Sequence, residues 1–239
     1  MKKRLDQALP DRGLITTRSQ AESFIKLGNV KVNGKVITKS GTMIDEHDTV
    51  ELMVQERYVS RAGLKLASVA EILGIDLVDK VMLDVGSSTG GFTDYALKHG
   101  AKKVIAVEVG TNQLHPSLVG HPRIELHEKT DIRDFRTNEH IDVVVADVSF
   151  VSLRDILPAV ARISGDDTKI IAMVKPQFEA QVSSMKHKGV IKNDRMRREI
   201  LKDFEAWSRD LFKIIVKADS EISGAKGNVE RFYLLKKLS

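Results

Sequence analysis

Apolar and polar positions change their period at about residue 60. Before it the pattern is short and mixed. Leu5 and Leu9 share one helical face, and Ala21, Phe24, Ile25 and Leu27 form a second apolar set at helical spacing. These predict helices over 2–9 and 17–28, the second capped by Thr17 or Ser19 and ended by Gly28-Asn29. Residues 30–37 alternate around Asn33-Gly34, a hairpin signal, and 49–52 read as a further strand. Residues 53–60 read as a linker, and a helical pattern covers 61–73. Strand and helix periods then alternate: strand 81–85, helix 92–98, strands 103–108, 123–127 and 141–146, helix 153–163, strand 169–174 and helix 195–211. Strands 213–217 and 230–236, joined by a Gly-rich connection, close the chain. Alternation predicts an α/β domain with a doubly wound, mostly parallel sheet, and the last pair predicts an antiparallel hairpin at its edge. The expected layout is a small α+β domain over 1–55, a linker over 56–60 and the large domain over 61–239. The sequence shows no internal repeat and no low-complexity tract.

Composition narrows the setting. The 239 residues suffice for one full α/β domain and an appendage. No stretch approaches the roughly 18 consecutive apolar residues of a membrane span. Met1-Lys2-Lys3-Arg4 has no apolar run behind it, so it does not read as a signal peptide. The sequence has no cysteine, which excludes disulfides and thiol chemistry, and its seven His show no metal-ligand spacing. A cytoplasmic protein without a metal is expected. Charge is unevenly placed. Residues 1–39 hold nine Lys and Arg against three acids, a net of +6, while the remaining 200 residues hold 29 against 30. That asymmetry points to a nucleic-acid or anionic-membrane contact at the N-terminus, against a merely solvated basic face.

The residues 81–93, V-M-L-D-V-G-S-S-T-G-G-F-T, run from strand through a small-residue turn into a helix. A dinucleotide fingerprint would need Gly at 86, 88 and 91, but 88 is Ser. The pattern D-x-G-x-x-x-G-G-F instead resembles the S-adenosylmethionine loop of class I methyltransferases; the plain alternative is an ordinary glycine turn. The resemblance implies the Rossmann-like seven-stranded variant of the doubly wound fold and S-adenosyl-L-methionine as cofactor. It implies a cofactor site made from Asp84, Gly86, Ser88, Gly90, Phe92, Glu108, Asp131 and Asp147. Glu108, at the end of the second strand, would take the ribose hydroxyls, and Asp131 the adenine amine. Phe92 either packs the methionine side or belongs to the core.

The N-terminal pattern Arg4-Leu5-Asp6…Gly13-Leu14…Arg18…Ala21…Ile25…Gly28…Val30…Val32-Asn33-Gly34 resembles an S4 domain, a small RNA-binding module. Carried over, Arg4, Arg12, Arg18, Lys26, Lys31 and Lys35 are the candidate contacts, chiefly to phosphate and therefore salt-sensitive.

Two predicted strands end in charged residues. The strand 141–146 runs into Asp147, then Val148-Ser149-Phe150, and the strand 169–174 runs into Lys175, then P-Q-F-E. In open α/β sheets such ends face the ligand crevice, and lysine is a poor choice there without a task. With Lys65 and Glu230 they match the Lys-Asp-Lys-Glu tetrad of FtsJ-like RNA ribose 2′-O-methyltransferases. The neighbours D-V-S-F, K-P-Q-F-E and K-G-N-V-E resemble, more narrowly, the TlyA family, in which an S4 domain precedes an FtsJ-like domain. Glu108 stands where that family usually has Asp, and Glu221 where it commonly has Pro. The resemblance implies 2′-O-methylation of cytidine in ribosomal RNA, acting on rRNA or ribosomal subunits. A ribose hydroxyl must lose its proton as it attacks; Lys175 is expected as general base, Lys65 as depressing neighbour and 2′-oxygen positioner, and Asp147 and Glu230 as orienting acids. The basic interval Lys186-His187-Lys188…Lys192…Arg195…Arg197-Arg198 is a further candidate RNA contact or a surface loop. Two other readings remain: an RNA-binding protein with an inactive methyltransferase domain, and a membrane-lytic protein, as the hemolysin label on the family implies. S4 domains also precede pseudouridine synthases, against which the 81–93 loop discriminates.

Overall fold

The computed structural model describes residues 2–26, 28–52, 58–182, 189–191, 193–222, 224 and 227–238. Leu27, most of the expected linker, Lys186, His187, Lys188, Lys192 and Lys226 lie outside them. The chain divides into two compact units, residues 1–61 and 62–239.

In the first unit β1 (Lys3–Arg4) leads directly into α1 (Leu5–Asp11), followed by α2 (Arg18–Lys26), β2 (Val30–Val32), β3 (Lys35–Val36), β4 (Met43–Ile44) and β5 (Val50–Leu52). Of the two cap candidates the structure uses Thr17: its Oγ1 accepts from Gln20 N, and its N–H donates to Gln20 Oε1 at 3.0 Å, a reciprocal capping box. The helix stops where Gly28 takes φ +74° and Asn29 N–H donates to Phe24 O. Asn33 and Gly34 both have positive φ, as a tight two-residue hairpin turn demands. Strands β3, β2 and β5 form one sheet in that order, while β1 pairs with β4, a pairing the alternation did not reveal. Leu5, Leu9, Ala21, Ile25, Val30 and Ile44 form the core between helices and strands.

The second unit runs α3 (Arg61–Val69), β6 (Val81–Val85), α4 (Gly91–Lys98), β7 (Lys103–Val107), β8 (Ile124–His127), β9 (Val143–Ala146), α5 (Leu153–Ile163), β10 (Lys169–Val174), α6 (Pro176–Glu179), α7 (Asp194–Ser208), β11 (Phe212–Asp219) and β12 (Arg231–Lys237). The seven strands lie in the order β11-β12-β10-β9-β6-β7-β8. From β10 to β8 all neighbours are parallel, and β12 is antiparallel to both β10 and β11. Every residue of β6 and β9 is buried, which is why both read as continuous apolar runs; β11, at the edge, alternates.

Three expectations shift. The helix expected to 73 stops at Val69 and closes in turns through Gly74, whose φ is +58°. Lys175 is followed by α6, a one-turn helix too short to show a period. The strand expected from Glu230 begins at Arg231, leaving Glu230 at its mouth. Among the described residues no helix is long and apolar enough to cross a membrane.

Candidate active site

The 86–90 turn is built on backbone that only small residues tolerate. Gly86 has φ +79°, and a Cβ there would stand 2.7 Å from the backbone oxygen of Asp147. Gly90 has φ +85°, with Leu114 and Leu118 against the place its Cβ would take. The turn thus lies flat on β9 and opens a cleft of about 130 Å³ lined by Asp84, Gly86, Ser87, Ser88, Phe92, Asp147, Ser149 and Lys175 among others. A larger cavity of about 620 Å³ adjoins it, sharing Gly86, Ser88, Asp147 and Ser149 and reaching Glu108, Asp131, Ile132 and Phe150.

Asp84 is buried at the end of β6. Its Oδ2 accepts from Thr93 Oγ1 at 2.7 Å, and its Oδ1 has no hydrogen-bond partner among the described residues. Burial pushes its pKa up to about 7; the Thr93 hydrogen bond opposes the rise, and the negative charge of Asp147 adds to it. Ser87 Oγ is likewise buried and unpartnered. A cleft with an orphaned carboxylate oxygen and an orphaned hydroxyl beside bare backbone suits a ligand with an ammonium and a carboxylate. Phe92 lines the same cleft and packs on Phe232, their centroids 6.2 Å apart, so it serves cleft and core together.

Four charged residues meet beside that cleft. Asp147 follows β9, Lys175 follows β10, and Glu230 precedes β12, three adjacent strands. Ala146 lies opposite Ala172, and Val174 opposite Arg231, so the three residues leave neighbouring strand ends, Glu230 level with Lys175 and Asp147 two positions before it. Lys175 Nζ stands 2.5 Å from Asp147 Oδ1. Lys65, on α3, donates to Glu230 Oε1 at 3.0 Å; the two side chains are 9% and 3% exposed. Glu230 Oε2 has no hydrogen-bond partner among the described residues. Two ion pairs, Lys175–Asp147 and Lys65–Glu230, therefore make up the tetrad. The second is deeply desolvated, a costly placement for a pair whose only task is stability.

Other expected site residues are engaged differently. Glu108 accepts from Ser88 N at 2.9 Å and Gly110 N at 2.8 Å, which ties the glycine turn to the next strand end. Asp131 lines the larger cavity, and Arg133 holds its carboxylate through Nε, Nη2 and backbone N–H, the guanidinium contacts keeping it below the usual carboxylate range. In the first unit Arg4 and Arg18 both donate to the fully buried Asp6, and Arg12 donates to the carbonyls of Asp45 and Asp48. Arg4's hydrogen bonds, ahead of the contribution of Arg18, hold Asp6 below the usual range despite its burial. Among the described hydrogen bonds and ion pairs none engages the side chain of Lys26, Lys31 or Lys35.

Two residues went unassigned in the sequence. Ser149 Oγ accepts from Lys175 Nζ at 2.7 Å. Phe150 is 88% exposed with φ +68°, lines the larger cavity, and lies 5.5 Å from the Phe178 ring. Both stand in D-V-S-F, but an apolar side chain after an apolar strand carries no sign of facing water.

The model of the FtsJ-like methyltransferase family matches residues 58–237, and that of the S4 domain matches residues 3–50. Hemolysin A of Brachyspira hyodysenteriae is 39% identical over 232 residues, covering 95% of this chain and 97% of the relative. The 16S/23S rRNA (cytidine-2′-O)-methyltransferase TlyA of Mycobacterium tuberculosis is 36% identical, covering 98% and 89%. A solved chain from Streptococcus thermophilus bearing a hemolysin label superposes with a TM-score of 0.76 at 35% identity, over all of this chain and 89% of the other. Matched by both family models and by relatives 36–39% identical over nearly its whole length, this chain belongs to the FtsJ-like methyltransferases that carry an S4 domain, the TlyA family.

Proposed function

We propose that this protein methylates the ribose 2′-hydroxyl of cytidine in ribosomal RNA, acting in the cytoplasm on rRNA or ribosomal subunits. The observation that carries the reading is the group formed by Asp147, Lys175 and Glu230 at three neighbouring strand ends, completed by Lys65 and set against the glycine turn.

S-adenosylmethionine, when bound, supplies a methyl group on a sulfonium sulfur that departs as a neutral thioether. The residues that would hold it are Asp84, Gly86, Ser87 and Phe92 at the methionine end, and Ser88, Glu108 and Asp131 along the larger cavity. Rotation of Arg133 would free Asp131 to accept from the adenine amine. The 2′-oxygen gives a lone pair to the methyl carbon, and its proton passes to Lys175 Nζ. Asp147 holds the Lys175 side chain in place and balances the charge it gains. Lys65, fixed by Glu230, orients the 2′-oxygen. Alignment of a weak nucleophile supplies much of the acceleration, and proton removal about 10²–10⁴-fold. Phe150 offers a flat, exposed face for the target base at the rim. The S4 unit contributes phosphate contacts; of its six candidate cations, Lys26, Lys31 and Lys35 are, among the described contacts, not committed to internal pairs, and Arg4, Arg12 and Arg18 shape the surface that presents them.

The test is transfer of labelled methyl from S-adenosylmethionine to ribosomal subunits and deproteinised rRNA. Alkali-stable label at the modified linkage, absent with Lys175→Ala although the cofactor still binds, is the expected result. Cofactor binding without label in either substrate would overturn the rRNA assignment.

A further inference from the structure

The Lys175 amine has two different attachments, and they do different work. Its contact with Asp147 is close, yet Asp147 Oδ1 has no partner meeting hydrogen-bond geometry among the described residues; the contact is an ion pair without directional alignment. The contact with Ser149 Oγ, at 2.7 Å, is an aligned hydrogen bond. The Phe178 ring lies 5.9 Å below the same nitrogen. Attraction to a carboxylate changes little as an amine turns about its Cε–Nζ bond, whereas a hydrogen bond fixes where one N–H points.

Direction matters because of what a base must present. The amine that accepts a proton carries two N–H bonds and one lone pair, in three tetrahedral directions. With one N–H committed to Ser149 and the second drawn toward Asp147, the remaining direction belongs to the lone pair, and Lys175 and Ser149 line the same cleft. We propose that Ser149 is the positioning residue for proton transfer: its hydroxyl accepts from Lys175 and so turns the amine's lone pair toward the ribose 2′-hydroxyl. This rests on the reading of Lys175 as general base. The proton leaves the 2′-oxygen as that oxygen bonds to carbon, and ends as the third N–H of Lys175; Ser149 neither gains nor loses one.

A brace at the other end of the loop supports this role. Glu179, the last residue of α6 and four positions after Lys175, is buried, accepting from Ser152 Oγ at 2.6 Å and from Leu153 N at 2.8 Å. The 147–152 loop is thus tied at both ends to the element that bears Lys175, by Asp147 at one and Ser152 at the other. Ser149 hangs between two fixed points, the condition for a side chain to set an angle.

Ser149 is exposed, so truncating it leaves no cavity and separates positioning from stability. The full-length chain is assayed for methyl transfer to deproteinised rRNA, as wild type, Ser149→Ala, Ser149→Thr and Lys175→Ala, with kcat, KM for RNA and Kd for S-adenosylmethionine measured for each. Ser149→Ala is expected to lower kcat about tenfold with KM and Kd unchanged, and Ser149→Thr, which keeps the hydroxyl, to restore kcat to within about twofold. Wild-type kcat in Ser149→Ala, a change confined to KM for RNA, or no recovery with Thr overturns the proposal. The base reading fails separately: full turnover in Lys175→Ala removes it, and this inference with it, whatever Ser149→Ala does.

Discussion

Gly86 and Asp147 approach so closely that a methyl group on the first would stand 2.7 Å from the backbone oxygen of the second. Asp147 N–H also donates to Val85 O, so the turn after β6 and the end of β9 are joined on both sides of that contact. The residue that pairs with Lys175 is therefore placed by the same backbone that floors the cleft beside it.

Gly86→Ala follows directly. The substitution meets backbone rather than a flexible side chain and forces a left-handed φ on an L-residue, at a cost of about 1–3 kcal/mol. Thermal denaturation should show that loss, and calorimetry should show weakened S-adenosylmethionine binding. Unchanged affinity would mean the turn does not floor the cofactor site.

Removing Lys65 alone strands a buried carboxylate. Lys65→Met is expected to cost about 3–5 kcal/mol in urea unfolding, since Glu230 is left uncompensated. Pairing it with Glu230→Gln should recover most of that stability and none of the methyl transfer. Recovery of turnover in the double variant would show that the pair is architectural.

Asp84 makes stability depend on pH in a stated direction. Its folded pKa, about 7, lies above the ordinary aspartate value of 3.8, so between them the native state holds a proton that the unfolded chain has released. Its contribution is complete below pH 4 and is lost as pH rises to 7. Asp84→Asn, matched in shape, should unfold with a flatter pH dependence over that window, and above pH 7 should exceed the wild type. Parallel curves for the two proteins would place the proton elsewhere.

Phe150 is exposed on a left-handed backbone, and among the described residues its ring contact is with Phe178. Phe150→Ala should leave the melting temperature within a degree or two and raise KM for RNA about tenfold, the scale of one lost base stack. Phe150→Trp should retain affinity. Equal KM values for all three proteins would argue against stacking.

The S4 unit separates its cations by salt dependence. Exchanging Lys26, Lys31 or Lys35 for Gln should flatten the slope of log affinity against log salt by somewhat less than one unit per phosphate lost. Arg12→Gln should act mainly on stability, since its guanidinium holds the carbonyls of Asp45 and Asp48.

The central strands and the glycine turn were legible because burial on both faces writes an unbroken apolar run, and positive φ leaves glycine in place. The Asn33-Gly34 hairpin was legible for the same reason. β1 and β4 were not, since two-residue pairings have no period, and neither was α6, a single turn begun by Pro176. Within the candidate site the four charged residues were nameable from motif order alone. Their division into two pairs was not, because it depends on β12 running against β10 and bringing Glu230 beside Lys175. The burial of Asp6, to which the half-exposed Arg4 and Arg18 are tied, left no trace in a pattern that counts charges.

That reversed strand also orders events during synthesis. The parallel strands deliver Asp147 and Lys175 to the rim at their carboxyl ends, but Glu230 arrives at the amino end of β12, the final strand of the sheet. A ribosome must therefore make almost the whole chain before Lys65 gains its counter-charge. Until then β10 keeps one open edge, and a growing chain holds Lys175 without the partner that steadies Lys65. The set of four charged residues is complete only when the closing hairpin, β11 with β12, is in place.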